Sequence, residues 1–100
     1  MAKDQIPLPK RLKHARLSRG ISQKSLGIAI GIDEFVASAR MNQYEKGIHV
    51  PTYQTVSALA NYLQFPVSYF YESNDDIAKL LESMQSLNKK QLKAFLEKIN

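Results

Sequence analysis

Residues 11–32 read RLKHARLSRGISQKSLGIAIGI, and the way this stretch divides decides the fold. Its apolar residues recur at helical spacing in two short runs separated by Gly20. In the first run Leu12, Ala15 and Arg16 share a face, and Gly20 suits the left-handed position just past a helix end. Ser22 is a good N-cap for the second run, where Leu26, Ala29 and Ile30 lie on one side and Gly31 closes the helix. Gly27, inside that helix, costs roughly 0.5–1 kcal/mol relative to alanine, so a close backbone approach is expected there.

Downstream, residues 31–47 read GIDEFVASARMNQYEKG. Counting back from Glu45, a helix here turns Met41 and Tyr44 inward and Ser38, Ala39, Asn42 and Gln43 outward. Thr52 then caps a helix whose Val56, Leu59, Ala60 and Leu63 form an apolar stripe. Pro66 fits the first turn of a short helix with Val67 and Phe70 as core candidates. After the interruption at residues 72–76 come two amphipathic helices. One carries Ile77, Leu80, Leu81, Met84 and Leu87; the other carries Leu92, Phe95, Leu96 and Ile99. Asn88 with Gln91 is a capping-box signature between them. Upstream, two prolines without periodicity predict a mobile arm over residues 1–9. No strand pattern competes. The chain is expected to be all-α: a five-helix domain over residues 10–72, then a C-terminal helical hairpin over residues 75–100.

The 100 residues suit one domain with a small appendage. There is no cysteine, so disulfides and thiolate metal sites are excluded. His14 and His49 are far apart without ligand spacing; neither a metal nor a cofactor is expected. No charged-then-apolar leader opens the sequence, and the reading is a cytoplasmic protein with no membrane partner. Residues 1–50 carry nine Lys/Arg against four Asp/Glu, while residues 51–100 carry five of each. All of the net +5 therefore sits in the first half, either a solubilising surface or the footprint of an anionic partner.

Taken in order, several features resemble the phage repressor and Cro type of helix-turn-helix domain, the lambda-repressor-like or XRE-type family. They are Arg16 in the first helix, Ser22-Gln23 opening the second, Gly31 ending it, Tyr44-Glu45-Lys46-Gly47 ending the third, and Pro51 before the fourth. The resemblance implies double-stranded DNA as partner, with the third helix in the major groove. It implies base-edge contacts from Ser38, Ala39 and Gln43, with Asn42 adjacent. It places Gln23 on a phosphate at the N-terminus of the second helix, beside Ser22 and Lys24. Lys46 and His49 are implied to meet the sugar-phosphate chain, and Arg40 is expected to reach a phosphate rather than a base. It also implies a partly buried ion pair between Arg16 and Glu45 that orients the third helix.

The sequence departs from this family between Gly31 and Glu45, which are about four residues further apart than usual. Either residues 32–37 form a widened turn, or Asp33 caps a third helix one turn longer. In the first arrangement Phe35 and Val36 anchor the loop on the protein; in the second Phe35 faces the groove. Burying a Phe gains about 1.5–3 kcal/mol, and acids at positions 33 and 34 repel phosphates, so the widened turn is favoured.

The expected function is a sequence-specific, dimeric transcription regulator, a repressor, acting on a near-palindromic operator. Residues 75–100 are expected to serve dimerisation, with packing back onto the domain as the other course. The alternative is a DNA-binding antitoxin, or a module whose C-terminal hairpin binds a partner protein. An enzyme finds no support, since neither a carboxylate pair in a cleft, nor a phosphate loop, nor a His-centred nucleophile can be assembled.

Overall fold

A computed structural model describes residues 6–100. Within them lie seven α-helices and no strand: α1 (Leu8–Ser18), α2 (Gln23–Ala29), α3 (Ala37–Glu45), α4 (Tyr53–Leu63), α5 (Val67–Tyr71), α6 (Asp75–Met84) and α7 (Lys89–Ile99). The local signals explain most boundaries. Ser22 Oγ accepts the Ser25 N–H at 3.0 Å, and Thr52 Oγ1 accepts the Thr55 N–H at 3.2 Å. Asn88 and Gln91 exchange side-chain and backbone bonds of 2.9 and 2.8 Å, completing the capping box of α7. Past α2, Gly31 takes φ +96°, a left-handed value that an L side chain resists.

The start of α1 differs from expectation. The helix begins at Leu8 rather than after Pro9, with Pro7 at the N-cap and Pro9 within the first turn. Those positions lack intrahelical N–H partners anyway, so proline is tolerated and its fixed φ suits the helix. Leu8 is thereby driven into the core. The rest of the expected arm, residues 1–5, lies outside the described residues.

The core gathers Leu8, Leu12 and Ala15 from α1, Leu26 from α2, Met41 and Tyr44 from α3, and Val56, Leu59, Ala60 and Leu63 from α4. Phe65, Tyr69 and Phe70 complete it, with Tyr69 edge-on to Phe70 at 5.3 Å between ring centres. Burial pushes the Tyr69 phenol up to about 12, with nearby Glu82 adding to the effect, so the ring stays neutral. Val67 is only partly buried, and Ala29, expected beside Leu26, is exposed.

Three arginines of the basic first half work as struts. Arg19 Nε donates to the Leu63 carbonyl at 2.6 Å and Nη2 to that of Gln64 at 2.9 Å, closing the C-terminus of α4 with a cation. Arg11, buried, donates to the Glu72 carbonyl at 3.0 and 2.8 Å and to Asp75 at 2.9 Å. That holds the start of α6 on α1, where Lys10 also reaches Asp75 at 3.1 Å. His14 Nε2 lies 3.1 Å from Glu82 Oε1, a second tie to α6. Arg16 is the third strut, described below.

The C-terminal helices bury less than their stripes suggest. Helix α6 docks through Ala78, fully buried, and Leu81, partly buried, while Leu80 remains 60% exposed. Helix α7 contains no buried residue. The radius of gyration of 14.7 Å exceeds the roughly 13 Å of a compact chain this long, consistent with a helix standing off the core.

Candidate nucleic-acid interface

The site begins with the crossing of α2 and α3. A Cβ added at Gly27 would lie 2.7 Å from the Ala37 Cβ and 3.0 Å from its carbonyl oxygen. Only glycine permits this approach, so Gly27 and Ala37 together fix how closely and where the two helices meet. The expectation of tight backbone packing at Gly27 is met, and Ala37 is its partner.

Arg16 and Glu45 then fix the far end of α3. Arg16 Nε donates to Glu45 Oε2 at 2.6 Å and Nη2 to Oε1 at 3.1 Å, a bidentate pair. The side chains are only 11% and 4% exposed, so this is the buried version of the pair. Arg16 Nη1 also holds the Ile21 carbonyl at 3.1 Å, tying in the turn before α2.

Gln23 joins the same network. Its Nε2 donates to Glu45 Oε1 at 3.1 Å and to Asn42 Oδ1 at 3.3 Å. Both side-chain N–H groups are thus used within the protein. What the first turn of α2 still offers outward is the backbone N–H of Gln23 and Lys24, which have no intrahelical acceptor by position. Asn42 keeps its own N–H groups but shares its carbonyl with Gln23. Gln43, partly buried, has no side-chain partner among the described residues and is the better placed of the two amides for a bidentate contact.

Between α2 and α3 opens a depression of about 520 Å³ that brings together Lys13, Ser22, Gln23, Lys24, Ser38, Asn42 and Lys46. Since Arg16 neutralises Glu45 at its floor, three lysines set its charge. Lys13 was not among the expected contacts. Its signal was its position one turn before Arg16 on α1, which puts it on the same side of the helix. Ser38, Ala39 and Arg40 are exposed along α3, while Met41 and Tyr44 point into the core. Of the expected contacts, Ala39, Arg40, Gln43 and His49 do not line the depression. The backbone amides after α3 are not free either. Lys46 N–H donates to the Asn42 carbonyl at 3.0 Å, and those of Ile48 and His49 donate to Gln43 at 2.9 and 3.3 Å.

The long connection between α2 and α3 is a widened turn: α3 starts at Ala37 and does not extend back to Asp33. The expected anchors, however, are wrong. Phe35 is 88% exposed and Val36 is also exposed. Ile32, partly buried against the core, and Ala37, fully buried, hold the two ends instead.

A family model described as a helix-turn-helix domain matches residues 8–68, well over half of the chain. The chain belongs to the helix-turn-helix domain family. Membership of this family is membership of a non-enzymatic class. A solved structure, that of transcriptional regulator BswR, superposes on this helix-turn-helix protein with a TM-score of 0.82 at 48% identity. The match covers 91% of this chain and 93% of that one, so the likeness extends well beyond residue 68. No curated protein matches the chain in sequence. Within the described residues no helix is long and apolar enough to cross a membrane.

Proposed function

We propose that this helix-turn-helix protein is a sequence-specific, double-stranded DNA-binding transcription regulator that acts as a dimeric repressor. The observation that carries this reading is the lysine-lined depression between the start of α2 and the outer face of α3, braced by the Arg16–Glu45–Gln23 network. A rigid helix pair with a cationic flank suits one helix lying in the major groove while the other meets the backbone. The structural likeness to a solved transcription regulator supports the same reading.

In this proposal Ser38, Ala39, Asn42 and Gln43 meet base edges. Gln43 pairs bidentately with adenine, Ala39 packs on a thymine methyl, and Asn42 donates. Ser22, Gln23 and Lys24 meet one phosphate stretch, the first two through the capped helix start, and Lys46 and Lys13 meet the neighbouring one. Arg40 and His49 lie outside the depression and reach phosphates only at its margin. Association runs through the exposed apolar side of α6 and α7, which includes Leu80, Phe95 and Leu96. A two-fold dimer then sets its recognition helices on half-sites about 34 Å apart. A second reading rests on the same exposed face: an antitoxin or adaptor that covers it with a different protein.

Selection from random duplex DNA tests the first reading, followed by titration of the selected site against salt. Lys13, Lys24, Arg40 and Lys46 give about four phosphate contacts per subunit, so the dimer predicts a log–log slope near −7. No selected site, or binding indifferent to salt, would contradict it. For association, Leu80→Lys and Leu96→Lys are expected to halve the sedimenting mass. A wild-type chain that stays monomeric and becomes dimeric or larger only with a foreign protein would favour the second reading.

A further inference from the structure

Phe35 is the most exposed large hydrophobic side chain among the described residues, at 88%. The turn that carries it is well fixed nonetheless. Asp33 carboxylate accepts the Phe35 N–H at 3.0 Å, and the Asp33 carbonyl accepts that of Val36 at 3.0 Å. The Val36 carbonyl in turn accepts the Arg40 N–H at 2.9 Å, the first turn of α3. An aromatic ring is therefore held in water, two residues ahead of Ala37, at the end of α3 where Ser38 and Ala39 are also exposed.

In helix-turn-helix docking the N-terminal end of the second helix is the part nearest base edges. Asp33 and Glu34 flank the ring with negative charge, a cost anywhere near DNA that is greatest beside the phosphate chain, so of the places where the ring can meet DNA the base edges are penalised least. The apolar feature of the base edges in the major groove is the thymine C5-methyl group. We infer that Phe35 enters the major groove ahead of α3 and packs on a thymine methyl, a specificity-determining contact made from the turn rather than from the helix. This rests on the DNA-binding reading proposed above.

The test uses the full chain and the site it selects from random duplexes, with each thymine replaced in turn by deoxyuridine, which lacks only the methyl. Wild-type binding is expected to weaken about fourfold at the thymine under Phe35 in each half-site, separately from the thymine under Ala39, the worth of one buried methyl group. Phe35→Ala should bind more weakly, be indifferent to uracil at that position, and melt at the wild-type temperature. Phe35→Leu should keep part of the sensitivity. The inference is overturned if Phe35→Ala selects the same site with the same affinity, or responds to uracil as the wild type does. It is also overturned if Phe35→Ala loses affinity and DNA bending while no uracil position matters to the wild type, because the ring then acts as a wedge between base steps. A wild-type chain that selects no site removes the DNA-binding reading and this inference together. A selected site that depends on Gln43 but not on Phe35 removes the inference alone.

Discussion

The buried pair between Arg16 and Glu45 gives the sharpest stability test. Glu45→Leu leaves the Arg16 guanidinium with the Ile21 carbonyl as its remaining partner, in a place where 11% of its side chain meets water. Arg16→Met leaves the Glu45 carboxylate, 4% exposed, with one N–H from Gln23. Stranding either charge should cost about 3–5 kcal/mol, against ~0–1 kcal/mol for a surface pair. For a domain of this size each kcal/mol moves the melting temperature by about 4–8 °C, so each single variant should melt at least ~12 °C below wild type. The Arg16→Met, Glu45→Leu double variant replaces two charges with apolar groups of similar bulk. It should recover more than half of either loss, because the desolvation of both charges is no longer required. Urea unfolding followed by circular dichroism supplies all four corners of the cycle. Single losses below ~1 kcal/mol, or losses that simply add in the double variant, would refute the reasoning.

Two further outcomes follow from contacts outside that pair. Gly27→Ala puts a methyl 2.7 Å from the Ala37 Cβ, so a loss of about 1–3 kcal/mol is expected; Ala37→Gly in the same chain should restore only part of it, because the new methyl still meets the Ala37 carbonyl oxygen at 3.0 Å and its Cα at 3.1 Å, read by thermal melting. Hydrogen bonds from Lys10 and Arg11 hold the Asp75 carboxyl below its ordinary value of 3.8. A lowered folded-state pKa means that its contribution to stability is complete above that ordinary value and is lost as pH falls through the depressed one. Asp75→Asn should therefore lower the urea midpoint at pH 7, and the gap to wild type should shrink by pH 3. An equal gap at both pH values would count against the linkage.

Features written locally in the chain were legible before the structure. Ser22, Thr52 and the Asn88–Gln91 box cap helices through bonds spanning three residues, and Val56 to Leu63 keep one helical period. Features set by distant partners were not. Pro7 and Pro9 read as breakers, although a helix start accepts them, and Leu8 was lost with them. Arg11 and Arg19 read as part of a basic face, yet each spends its donors on carbonyls more than forty residues away. Gln23 was expected on a phosphate with its side-chain amide available, because nothing in its neighbourhood shows that Asn42 and Glu45 will arrive beside it. The turn was placed correctly for the wrong reason. Phe35 was assigned the anchoring that Ile32 and Ala37 perform, since burial is the default for a phenylalanine and its exception has no local mark.

Helix α7 has a consequence for what the far-ultraviolet spectrum of this protein measures. None of its eleven residues is buried and only Leu92 is partly so, and an isolated helix shorter than ~12–15 residues is marginal in water even when well capped. The capping box decides where α7 starts but does not keep it wound. Helical content in α7 is thus set by the surface that meets it, whereas α1 to α5 are held by the core. In dilute solution the spectrum should report the core helices; under the association proposed above, ellipticity per residue should rise with concentration. Under that proposal, helicity doubles as a binding isotherm.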